Sequence, residues 1–209
     1  MARQITKLVI KTMLVTLLSI VGLAVVFFLI LSLTAPAAMA RLTLDLGMYT
    51  QSAWFSSLQY ADGKGDIENI ELAMNCSSLA GDEEGVAEYG AAFIADERFP
   101  EYAAAREAEE AGKYSEVYTQ FVYGRVGVAH YRIGQKAEGL ELTLSVNRTS
   151  FDEYNAVTDL INEVILAGDT AFGGEILTSL SELRSAATVA AEDEENLNAA
   201  IENLTIFTT

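Results

Sequence analysis

Tyr123-Gly124-Arg125-Val126-Gly127-Val128-Ala129-His130-Tyr131-Arg132-Ile133-Gly134 places Tyr123, Val126, Gly127, His130 and Tyr131 at helical spacing and then stops on a glycine. Offsets of 0, 3, 4, 7 and 8 lie on one face of an α-helix. Adding 34 residues lands on Val157, Leu160, Ile161, Val164 and Ile165, again one apolar face, and Gly168 repeats the stop. Beyond each glycine, Ala137 and Gly139 are echoed by Ala171 and Gly173. A helix, a turn and a second helix therefore occur twice in tandem, and the expected fold is all-α, an antiparallel α-helical hairpin stack.

The same reading extends in both directions. Ile67 to Ala80 is expected to be a helix leading to Gly81, and Gly81-Asp82-Glu83-Glu84 turns the chain and opens the next helix with acids at its positive end. Asp66 is the expected N-cap of the first of these. Phe99-Pro100 ends one helix and opens another from Glu101 to Ala111, and Gly112-Lys113 turns into a long helix from Tyr114 to Ile133. Helices are expected at Ala137 to Val146, Tyr154 to Ala167 and Thr170 to Ala187, with a polar capping helix from Ala190 to Leu204. Arg41 to Tyr60 reads as one helix carrying Tyr49 and Trp54, rings that suit either a membrane interface or packing on the first hairpin.

The front of the chain is different. Thr12 to Leu33 holds 22 uncharged residues rich in Leu, Val, Ile and Phe. As a helix this run spans ~33 Å, the thickness of a bilayer core. Arg3, Lys7 and Lys11 precede it, which predicts a cytoplasmic N-terminus and an outward-facing remainder. Ala38-Met39-Ala40 matches a small-x-small cleavage site, so secretion after cleavage near Ala40 stands beside an uncleaved anchor. The expected organisation is a basic cytoplasmic N-terminus (1–11), a transmembrane helix (12–33), a juxtamembrane linker and helix (34–66), and an extracytoplasmic helical domain (67–209).

Of 30 acids and 13 bases, three bases lie before that helix, leaving 30 acids against 10 bases, a net of −20. Such a surface repels nucleic acid, and no nucleic-acid partner is expected. The single Cys76 excludes an intrachain disulfide, so burial of apolar surface must hold the fold.

The run from Tyr123 to Glu141 resembles a tetratricopeptide repeat. An aromatic, Val126-Gly127, His130-Tyr131 and Gly134 fall within a 34-residue period. The second copy departs from the pattern, with Ile161 at the small position and Val157 at the aromatic one, and neither copy ends on proline. The resemblance covers about a third of the chain. It implies a superhelix whose concave face, lined by first helices, grips a protein or peptide. Carried over by position, the implied partner-binding residues are Val128, Tyr131 and Arg132 in one copy and Asn155, Thr158 and Asn162 in the next.

No catalytic constellation accompanies this architecture. His130 is the only histidine and falls on the face expected to be buried. There is no Gly-x-Ser-x-Gly elbow, no phosphate-cradling glycine loop and no zinc-ligand spacing, so no cofactor and no metal are expected. The acid runs Glu109-Glu110 and Glu192 to Glu195 read as solvated faces. The expected function is a membrane-anchored, extracytoplasmic protein-binding or scaffolding module without enzyme activity. A carboxylate-dependent hydrolase and a purely structural membrane-complex subunit are the alternatives.

Overall fold

The computed structural model describes residues 2–60, 63, 65–109, 117–148, 151, 154–186 and 193–209. Every regular element among them is helical: α1 (Ala2–Thr34), α2 (Pro36–Asp45), α3 (Tyr49–Tyr60), α4 (Ile67–Ala80), α5 (Glu83–Ile94), α6 (Phe99–Glu109), α7 (Tyr118–Arg132), α8 (Lys136–Asn147), α9 (Ala156–Ala167), α10 (Thr170–Ser185) and α11 (Glu194–Thr208).

Local chemistry sets the helix ends. Gly81 and Gly168 close α4 and α9 in the left-handed conformation, both at φ 69°, and Gly134 follows α7 at φ 88°. These are the three glycines that the repeat spacing marks as stops. At the opposite ends, side chains of Asp82, Asn155 and Asp169 accept from the backbone N–H groups of Gly85, Thr158 and Phe172. Asp66 does occupy the N-cap of α4, but its side chain accepts no capping bond; its carbonyl takes the Asn69 N–H instead.

One expected helix is two. Arg41 to Tyr60 breaks between α2 and α3, where Gly47 adopts φ 71° and Met48 N–H closes the turn on the Thr43 carbonyl at 2.8 Å. Glycine takes the left-handed conformation at no steric cost, and the backbone uses that freedom here. The expected starts and ends at Tyr114, Ala111, Ala187 and Ala190, and the Gly112-Lys113 turn, lie outside the described residues.

Two apolar cores meet at α7. Ile70, Ala73 and Met74 of α4, Val86 and Phe93 of α5, Phe99 and Ala103 of α6, and Val122 and Val126 of α7 build the first. Leu160, Ile161 and Val164 of α9, Phe172, Ile176 and Leu180 of α10, and Leu197, Ile201 and Leu204 of α11 build the second, with Tyr131 of α7 reaching into it. Thus α7 touches α5, α8 and α9, and α4 lies between α3 and α5. Where α7 crosses α8, Gly127 and Gly139 let the backbones meet: a methyl on Gly139 would stand 2.6 Å from the Gly127 carbonyl oxygen.

A third, small cluster joins the front helix to the rest. Leu31, near the end of α1, packs against Met39 and Ala40 of α2 and Phe55 of α3. A hydrogen-bonded chain runs beside it, from the Cys76 thiol of α4 to the Ser52 hydroxyl of α3 (3.4 Å) and on to the Ala40 carbonyl of α2 (2.8 Å). Upstream of Leu31, α1 is apolar and open to its surroundings from Ile10 onward, long enough to cross a membrane or to serve as a signal sequence.

Candidate functional site

The most elaborate polar arrangement is centred on Glu71, in the middle of α4 and only 7% exposed. A carboxylate in that position needs donors, because burying the charge alone would cost several kcal/mol. Three side chains from two other helices supply them. The Tyr102 hydroxyl of α6 donates at 2.5 Å, the Tyr118 hydroxyl of α7 at 2.6 Å, and Arg106 Nη2 of α6 at 3.3 Å to each oxygen. The guanidinium of Arg106 also lies over both phenol rings, 5.6 Å from the centre of Tyr102 and 6.0 Å from that of Tyr118. Burial, and then the bond to Glu71, push both phenols well above the usual tyrosine range.

One helical turn beyond Glu71, Asn75 faces α7. Its Oδ1 accepts from Arg125 Nη1 at 2.7 Å, and the Arg125 guanidinium sits 4.5 Å from the centre of the Phe121 ring. Tyr118, Phe121 and Arg125 follow one another at spacings of three and four, so α7 presents them on one side. Between these groups lies a cleft of about 490 Å³ lined by Glu71, Met74, Asn75, Arg106, Phe121 and Tyr154, among others. A second hollow of about 530 Å³ adjoins it and shares Glu71, Asn75 and Arg106. Both fall in the size range of small-ligand and peptide-anchor pockets. The wall is half aromatic and apolar, half charged and amide.

None of the six residues implied by the repeat lines either hollow. Tyr131 is buried, its ring stacked on Phe172 with centroids 5.5 Å apart and its hydroxyl 3.3 Å from Asp169. Arg132 is exposed and bound on both sides, to Glu83 of α5 at 2.6 Å and Glu163 of α9 at 2.8 Å. Asn155 is buried as the cap of α9, and its Oδ1 also accepts the Thr158 hydroxyl at 3.0 Å, which ties those two together. Val128 is half-buried, and Asn162 is exposed on α9. His130 departs from its expected place on the buried face. It is half-exposed, and its Nδ1 meets Gln135 Oε1 at 2.7 Å. Gly139 of α8 fits against the root of that side chain, leaving the ring the solvent side.

Sequence reasoning passed over the Glu71 cluster because the glycine register drew attention to the opposite side of α7. The usable signal was present: an aromatic, aromatic, arginine series at helical spacing, and an acid–amide pair one turn apart in α4. Among the described residues no three His, Cys, Asp or Glu side chains converge as a metal-binding set.

Fold and cleft together define an all-helical protein with one long apolar helix at its front. No family model, curated protein or solved structure matches the chain.

Proposed function

We propose that this is a membrane-anchored, outward-facing binding module, in which α1 is an uncleaved span and the α4–α6–α7 cleft seats a segment of a partner protein. The cleft carries the reading: an open hollow of about 490 Å³ beside a fully satisfied buried carboxylate, with aromatic walls and hydrogen-bonding groups at its edge. Docking there needs shape and polar complementarity and no bond chemistry. In the same reading α4–α5, α7–α8 and α9–α10 are successive hairpins of a tetratricopeptide-like stack. The contacts of α5 with α7 and of α7 with α9 favour it.

Retention of α1 draws support from the site that a signal peptidase would need. Met39 and Ala40 are 0% and 2% exposed and packed against Leu31 and Phe55, so cleavage would have to precede folding of this corner. Trp54 is 52% exposed and rests its ring on Phe55 at 4.8 Å, close to the end of α1, where an amphipathic ring suits a headgroup layer.

The test is site-specific photocrosslinking in intact cells. A crosslinker at Asn75 should trap a discrete protein, and one at exposed Glu202 on α11 should not. Equal products from both positions, or none from Asn75, would overturn the reading.

A further inference from the structure

We propose that the α2–α3 hairpin is a second membrane contact, its exposed apolar side chains lying in the headgroup layer of the bilayer that α1 crosses. This goes further than the anchor reading above and rests on it.

The two helices are built the wrong way round for a domain in water. Their buried sides carry hydroxyl groups, Thr43 of α2 and Ser52 and Ser56 of α3. The Thr43 hydroxyl donates to the Met39 carbonyl at 2.7 Å, and that of Ser52 donates across to the Ala40 carbonyl at 2.8 Å. The large apolar residues Leu42, Leu46, Met48, Trp54 and Leu58 are all exposed. Leu42 and Leu46 stand one turn apart, as do Trp54 and Leu58, so each arm carries an apolar stripe on its outer side. Elsewhere after α1, the exposed large apolar side chains among the described residues are Leu79, Leu166 and Ile206, scattered over α4, α9 and α11. Single exposed leucines are ordinary on a protein in water, but five such side chains between Leu42 and Leu58 are not. Hydroxyls inside and apolar groups outside is the arrangement of helices that face lipid.

Position and charge name the occupant. Leu31, inside the apolar run Ile10–Thr34, packs against the cluster of Met39, Ala40 and Phe55, and the Trp54 ring meets Phe55 edge-on at 4.8 Å. With α1 as a span, the hairpin sits at the outer end of the hydrocarbon layer, the depth that tryptophan favours. Residues 35–61 contain one base and one acid, Arg41 and Asp45, whereas residues 62–209 contain 9 bases and 29 acids. A negatively charged leaflet repels the acidic body and leaves the neutral hairpin free to approach.

Trp54 is the only tryptophan, so its fluorescence reports on this surface alone. Full-length protein is reconstituted into phosphatidylcholine vesicles carrying brominated lipid, with the bromines either just below the headgroups or near the bilayer centre. Shallow bromines should quench Trp54 by about half or more, and deep ones distinctly less. This comparison uses the unaltered protein and needs no variant to fold. Leu42→Asp with Leu58→Asp changes only exposed side chains. It should leave the protein inserted and cut the shallow quenching about twofold. Unquenched Trp54 in inserted protein, or quenching undiminished in the double variant, would overturn the inference while the anchor stands. So would emission that shifts with the protein-to-lipid ratio but not with bromine, the mark of a second copy on these stripes. Protein that washes from the vesicles in alkaline carbonate would sink the anchor, and this surface with it.

Discussion

Gly127 of α7 and Gly139 of α8 face each other across a helix crossing that admits no side chain. A methyl on Gly127 would collide with the Thr143 methyl and stand 3.2 Å from the Gly139 carbonyl oxygen. Gly127→Ala is therefore expected to destabilise the protein by roughly 1–3 kcal/mol, and Gly127→Leu by more. Thr143→Ser removes the obstructing methyl and keeps the hydroxyl bonds to the Gly139 and Leu140 carbonyls. The pair Gly127→Ala with Thr143→Ser should thus recover part of the loss in thermal denaturation. Simple additivity of the two substitutions would refute the crossing as the cause.

Tyr118→Phe deletes one hydroxyl that donates to Glu71 at 2.6 Å and leaves a buried carboxylate short of a donor. The expected cost is about 1–3 kcal/mol, measured by urea denaturation. In Glu71→Gln the same substitution should cost distinctly less, because the acceptor is no longer charged. The two phenols have a spectroscopic signature as well. Their raised pKa values contribute stability that is complete below about pH 10 and fades as pH climbs through the folded values. Phenolate absorbance at pH 11 should show Tyr102 and Tyr118 still protonated until the domain unfolds.

Acid sensitivity should centre on Asp96. Arg98 donates to it through Nε at 2.9 Å and Nη2 at 2.6 Å, its backbone N–H adds another bond at 2.9 Å, and Tyr60 adds one at 2.8 Å. The Arg98 side-chain bonds are the main reason that the carboxyl is held well below the usual aspartate range. A depressed folded pKa stabilises above the unfolded value near 4 and loses that contribution as pH falls toward the folded one. Asp96→Asn should lower the melting temperature at pH 7 and flatten its decline between about pH 4 and 2. An unchanged slope there would place the acid-sensitive group elsewhere.

The Cys76 thiol is 1% exposed, and burial pushes its pKa up. Alkylation by iodoacetamide is expected to be slower than in urea by on the order of a hundredfold or more, since reaction needs α3 and α4 to part. Ser52→Ala should accelerate it by loosening the contact that the thiol makes at 3.4 Å.

The helical periodicity made much of this architecture legible. Gly81, Gly134 and Gly168 stand in the sequence as helix stops, and each adopts positive φ. The front helix is visible from Thr12 to Leu33 as an unbroken apolar run, and α1 contains it. Local pattern failed where the deciding contact is distant. Gly47 breaks Arg41 to Tyr60 because α2 and α3 fold onto one another. Tyr131 and Arg132 are neighbours in the repeat motif, yet one stacks inside on Phe172 and the other bridges α5 and α9. The Glu71 cluster draws on residues 31 to 47 positions away, a separation that no periodicity reports.

The chain of contacts from Cys76 through Ser52 to the Ala40 carbonyl, with Leu31 wedged on Phe55, has a mechanical consequence. In the proposed reading, with α1 in a lipid sheet, this joint at Leu31 would hold the mouth of the cleft at a set height over that sheet. A partner would reach it by lateral drift with its tip at the matching altitude.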